Sequence, residues 1–202
     1  MGSKKFSESI LVFLQKYKAY SKKELLIMQY GLESFYLITT KFIIILLISI
    51  PLHLIKELLI FSLFYMGIKK TSFGLHANSS KQCLIMSTIL LLLIPYLCKI
   101  TEFNSYHIMI LGSISSTMFL LYSPADTHKK PLVSKKRRDI FKYISSMICV
   151  IYVITALYIN NSFIINCLVY SVVIQSFFIL PFAYKLFKQP YANYNLYKEV
   201  GD

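Results

Sequence analysis

Charge is scarce in this 202-residue chain: charged residues make up 15% of it, against about a quarter in an ordinary soluble domain. Acidic residues are scarcer still, 9 against 22 lysines and arginines. What charge there is gathers in short clusters, and the runs between them are rich in isoleucine, leucine, phenylalanine and tyrosine. A water-soluble fold has no means of hiding that many uninterrupted apolar segments. The four cysteines form no C-x-x-C pair and no zinc-ligand spacing, which leaves no basis for a zinc module or a dithiol redox centre. No Walker loop is present, so no nucleotide site of that kind is expected. The apolar runs carry no paired carboxylates and no Gly-x-x-x-Asp pattern, which argues against an aspartyl intramembrane protease. No cleavable signal peptide is expected, because Lys16, Lys18, Lys22 and Lys23 interrupt the first apolar stretch. Phe6 stands where a myristoylation pattern needs Ser or Thr. The net charge of +13 lies beside apolar runs, which points to anionic lipid head groups and topology rather than nucleic acid.

What is present reads as an all-α, polytopic membrane protein. Six spans are expected, at 35–51, 52–68, 82–98, 104–122, 140–159 and 163–184, each near the ~20 residues a bilayer requires. Residues 1–34 read as a cytoplasmic amphipathic segment that lies on the membrane surface, 35–187 as the bundle, and 188–202 as a cytoplasmic tail, all within one domain covering 1–202. The basic residues alternate from side to side. Lys4 through Lys23, the 69–81 loop, the 123–142 loop and the tail are rich in lysine and arginine, whereas the opposite face holds Lys56 and Lys99. That asymmetry places both termini in the cytoplasm.

The most informative segment runs from Lys69 to Cys83, and it carries His76 seven residues before Cys83 at a cytoplasmic membrane boundary. In one continuous helix that spacing separates the two backbones by about 10 Å, too far for direct proton transfer. A helix that starts between them removes the difficulty. Ser79-Ser80-Lys81-Gln82 fits a capping box with Ser79 as N-cap, which puts Cys83 near the first turn. Backbone N–H groups there favour a thiolate, and Lys69, Lys70 and Lys81 add positive potential. Gly74 supplies backbone freedom for the turn that returns His76 toward Cys83. These are the ingredients of an activated cysteine nucleophile, although a lone His and Cys at such a boundary are more often structural. As metal ligands they fall short of a set, with no other His or Cys nearby. Cys98, Cys149 and Cys167 lie inside apolar runs and read as small hydrophobes.

The second segment, from Tyr122 to Leu132, lies on the same expected side and is stiffened by Pro124 and Pro131. Asp126 and Thr127 supply local turn hydrogen bonds. The basic run 135–138 that follows suits lipid phosphate or an acidic peptide tail, and a purely topogenic role explains it equally well.

Lys69-Lys70-x-x-x-Gly74-x-His76-Ala77, with Cys83 seven positions beyond the histidine, resembles the signature of the accessory gene regulator B (AgrB) family. So does Pro124-Ala125-Asp126-Thr127-x-x-Lys130-Pro131-Leu132 followed by a basic cluster. Those proteins are bacterial membrane cysteine endopeptidases that process quorum-sensing propeptides. The family often has two glycines before His-Ala and arginine in the basic pair; this chain has Ser72-Phe73-Gly74-Leu75 and lysines. The resemblance implies a catalytic His76 and Cys83. Lys69, Lys70, Gly74, Ser79, Asp126, Lys130 and Pro131 are then candidates for substrate binding or support. It implies no metal and no cofactor, and an active site at the cytoplasmic face of the bacterial cell membrane. The substrate would be a short propeptide with an amphipathic leader and an acidic C-terminal tail, processed to a cyclic thiolactone or lactone. Anionic lipids are expected partners, nucleic acid is not, and a homodimer is left open. The alternative is a non-catalytic peptide exporter or scaffold, which tolerates loss of Cys83.

Overall fold

The computed structural model describes residues 2–75, 80–127 and 131–198. Its elements are helices, and an isolated parallel bridge joins Phe73 to Ala125. The chain divides into two compact units, Met1–Leu52 and His53–Asp202.

The first unit is an antiparallel helical hairpin of α1 (Gly2–Gln15) and α2 (Lys22–Ser49). Ser21 starts α2 through a reciprocal capping box: its side chain accepts from Glu24 N–H at 3.3 Å, and its own N–H donates to the Glu24 carboxylate at 2.8 Å. The Phe6 ring meets Tyr36 at 5.1 Å, and Ser7 Oγ donates to Glu33 at 3.4 Å. The later part of the surface segment, from Lys22, and the first span read from the sequence are joined in one helix. With 28 residues it is about 42 Å long at 1.5 Å per residue.

The second unit contains α3 (Ile55–Ser72), α4 (Ser80–Ile100), α5 (Ser105–Tyr122), α6 (Lys135–Tyr158) and α7 (Ser162–Ile179), then the short α8 (Pro181–Leu186) and α9 (Asn195–Lys198). Helix α7 is central and packs on α3, α4, α5 and α6. Its polar side chains bond outward to those neighbours. Asn166 donates to the Cys98 and Thr101 carbonyls at the end of α4, two acceptors that the helix terminus leaves without intrahelical donors. Close approach elsewhere depends on small residues: a Cβ on Gly112 would stand 2.6 Å from Val153 Cγ1. Tyr152 Oη donates to the Phe64 carbonyl at 3.0 Å, binding α6 to α3. At one end of the bundle Lys99 and Glu57 pair at 3.2 Å.

Among the described residues, four helices are long and apolar enough to cross a membrane: α2, the Gln82–Ile100 portion of α4, α6 and α7. Helix α3 holds Lys56, Glu57, Lys69 and Lys70 within 18 residues, and α5, which opens Ser105-Tyr106-His107, carries several hydroxyls, so neither is among these four. Apolar side chains that face outward, such as Ile85, Ile89 and Leu93 on α4 and Met147, Ile151 and Ile154 on α6, suit a lipid surround. The last span was expected to reach residue 184, but α7 stops at Ile179. Leu180 is extended (ψ 140°) because it precedes Pro181, which then opens α8.

Candidate functional site

The site begins where α3 ends. Lys69 and Lys70 occupy the last turn of α3, where positive charge complements the helix dipole; the Lys69 ammonium lies 5.2 Å from the Tyr65 ring centroid. The chain leaves α3 through two consecutive residues of positive φ, Phe73 (58°) and Gly74 (97°). Glycine is required at the second of these. A Cβ there would stand 3.0 Å from the Phe178 carbonyl oxygen and 3.1 Å from Gln175 Nε2, in a backbone region that L side chains avoid.

Two elements hold this turn. Gly74 N–H donates to the Ala125 carbonyl at 2.8 Å, and Ala125 N–H returns a bond to the Ser72 carbonyl at 3.0 Å. Leu75 N–H donates to the Phe178 carbonyl at 3.0 Å. Gln175, fully buried on α7, donates to Ser72 Oγ at 2.8 Å and to the Phe73 carbonyl at 2.7 Å. The turn is thus bonded to the 123–127 loop and to α7 immediately before His76. His76 and Ser79 lie outside the described residues, as does Lys130.

Helix α4 starts at Ser80, which agrees with an N-cap at position 79. Cys83 is its fourth residue and is partly exposed, whereas Cys98, Cys149 and Cys167 are buried. Ser87 Oγ donates to the Cys83 carbonyl at 2.6 Å one turn further on.

Asp126 is buried, 2% exposed. Its carboxylate accepts backbone N–H groups from Asn193 at 2.9 Å, Tyr194 at 2.8 Å and Leu132 at 3.3 Å. Tyr184 Oη reaches the carbonyls of Ala125 and Asp126 at 3.1 and 2.9 Å. Burial raises the pKa of the Tyr184 phenol above its ordinary value, and the Asp126 charge adds to the rise, so the hydroxyl keeps its proton and stays a donor. Pro131 follows this loop and is half-buried. Arg138, from the basic run, donates to the Leu132 and Val133 carbonyls at 2.8 and 2.7 Å. Its guanidinium lies 4.1 Å from the Tyr194 ring centroid. Beside these residues is a half-open groove of about 190 Å³, bordered by Ser123, Arg138, Asp139, Lys142 and Tyr191.

Gln175, Tyr184, Asn193 and Tyr194 were not legible as site residues. Their contributions are backbone donors or single polar atoms within apolar or tail sequence. The visible hint was the run 190–195, whose proline, tyrosines and asparagines favour an ordered turn over a loose tail. Among the described residues, no three His, Cys, Asp or Glu side chains gather in a way that could hold a metal ion.

Related sequences match this chain over most of their length. An AgrB-like protein of Clostridium acetobutylicum is 30% identical over 190 residues, covering 94% of this chain and 91% of its own. An AgrB-like protein of Listeria welshimeri is 29% identical over 84% of this chain and 83% of its own. The accessory gene regulator protein B of Staphylococcus intermedius is 26% identical over 86% of this chain and 92% of its own. No solved structure matches the chain. The model of the family Accessory gene regulator B matches residues 7–179, and the chain belongs to that family.

Proposed function

We propose that this protein is a membrane cysteine endopeptidase that removes the C-terminal tail of a small autoinducer propeptide and closes the remainder into a ring for quorum sensing. The observation that carries the reading is the contrast among the cysteines: three are buried, and the partly exposed one stands in the first turns of α4, beyond the fixed Gly74 turn. Family membership supports it.

In this reading His76 takes the Cys83 proton and the thiolate attacks a peptide carbonyl. The C–N bond breaks, the imidazolium gives its proton to the departing amine, and the N-terminal part of the peptide stays on Cys83 as a thioester. A thiol or hydroxyl within the peptide then attacks that thioester. A thiolactone or lactone forms and Cys83 is released. A thioester keeps much of the reactivity of the bond it replaced, so no nucleotide is needed provided the tail is removed. Lys69, Lys70 and Lys130 attract the acidic tail, while Gly74, Ser79, Asp126 and Pro131 shape the loops. Anionic lipid and a second copy of the chain remain compatible partners.

The direct test uses a propeptide whose ring-closing thiol or hydroxyl has been removed. Cyclisation is then blocked, and purified protein in lipid should gain the mass of the tail-less peptide as a hydroxylamine-sensitive adduct on Cys83. Cleavage without any such adduct would reject the acyl-enzyme.

The reading also places six spans across the bacterial cell membrane, α3 and α5 included, with both termini and the active site at the cytoplasmic face. The basic residues at the α3 end and the α6 start support this. Single cysteines introduced at Thr71 and Lys135 in a cysteine-free background should react only with cytoplasmic reagent, and one at Asn161 only from outside. Labelling of position 135 from outside overturns the arrangement.

A further inference from the structure

The segment after α8 reads from sequence as a tail, yet it is folded back with defined contacts. Lys188 and Ala192, neither of them glycine, hold positive φ of 52° and 53°. Such backbone persists only where surrounding contacts fix it. Those contacts are present: Gln189 N–H donates to the Tyr184 carbonyl at 2.8 Å, and the Tyr191 ring stands edge-on to Tyr184 at 5.1 Å. Asn193, 1% exposed, donates its side-chain amide to the Pro190 carbonyl at 2.9 Å. The backbone N–H groups of Asn193 and Tyr194 then end on the two oxygens of Asp126.

From Asp126 the bonds continue toward the reaction centre. Tyr184 Oη holds the carbonyls of Asp126 and Ala125, and the Ala125 carbonyl also accepts Gly74 N–H. Gly74 and Leu75 are the last described residues before His76.

Resting on the peptidase reading, we infer that residues 190–194 form a positioning element of the reaction centre, acting through Asp126 and Tyr184 on the turn that delivers His76. Neither the tail nor Tyr184 touches substrate in this arrangement. They fix the geometry of groups that do, and small displacements of reacting groups are costly.

The test uses full-length protein in lipid and two variants that remove donors of this network. Tyr184→Phe deletes the hydroxyl and keeps the buried ring. Asn193→Pro deletes the backbone N–H to Asp126 together with the side-chain amide to the Pro190 carbonyl, and leaves Asp126 in place. Leu196→Ala, at an exposed position, is the control. Two readouts are taken: cleavage kinetics per folded molecule, and hydrogen exchange at the Gly74 and Leu75 amides. Both donor variants should lower kcat by about 10- to 100-fold with KM nearly unchanged. Both should also speed exchange at these two amides, whereas Leu196→Ala changes neither. A purely structural role lowers the amount of folded protein and leaves kcat alone, which overturns the inference. Unchanged exchange at Gly74 and Leu75 does the same. If wild-type protein forms no acyl-enzyme, the peptidase reading fails. If wild type forms it and Tyr184→Phe matches wild type, only the positioning role fails.

Discussion

Cys83→Ser is expected to abolish propeptide cleavage while the protein still inserts and folds. Serine nearly preserves size, so the packing of α4 is retained. What disappears is a nucleophile that ionises far more readily than a hydroxyl at neutral pH. Loss of a catalytic nucleophile typically costs several orders of magnitude, and about 10³-fold or more is expected here. The matched controls are Cys98→Ala, Cys149→Ala and Cys167→Ala. These thiols are buried in apolar clusters, Cys98 and Cys167 together beside Phe61 and Tyr65, and Cys149 with Ile68 and Phe119. Their loss should weaken packing and leave the chemistry intact. Tail release by Cys83→Ser at the normal rate, measured by mass spectrometry of the peptide, would falsify the assignment and favour an exporter or scaffold.

His76→Ala is expected to slow cleavage by about 10²–10⁴-fold, the usual contribution of a positioned general base. The loss should fall on kcat rather than KM, because the imidazole acts on the thiol proton and not on peptide affinity. Added imidazole should restore part of the rate in His76→Ala and none in Cys83→Ser, since a diffusible base cannot replace the nucleophile. A His76→Ala variant with undiminished kcat would assign proton removal to another group, and the Lys69-to-Cys83 segment would lose its mechanistic meaning while Cys83 kept its own.

The residues differ in how much of this they disclose in sequence. Long helices were legible because their apolar runs are uninterrupted, and the start of α4 was legible because Ser79-Ser80-Lys81-Gln82 is a local pattern. Gly74 could be read as a turn residue, and its φ of 97° agrees. The continuity of α2 was missed. Charge at Lys22, Lys23 and Glu33 marks a surface position, but it does not interrupt a helix begun by the Ser21–Glu24 box. The early end of α7 was available in the dipeptide Leu180-Pro181, yet hydropathy across it runs on unbroken. Asp126 was singled out for local turn bonds. Its actual donors at 193 and 194 are distant in sequence and belong to the backbone, so no side-chain pattern announces them. The same holds for Gln175, whose partners on the Ser72–Phe73 turn are set by tertiary packing alone.

The polar atoms of α7 have a consequence for how the chain matures in lipid. A helix that is greasy all round has no preferred rotation about its own axis there, because every azimuth meets the same hydrocarbon. Three polar residues of α7, spread around that axis, bond to other helices. Asn166 is bonded to the end of α4, Gln175 to the end of α3 and Ser176 to Ser115 of α5. Each of these bonds forms at a single rotational setting, and all three partners are synthesised before α7 emerges. The last long helix is therefore keyed by the earlier ones: it can enter the bilayer on hydropathy alone, but it locks only into a bundle whose other members have already assembled.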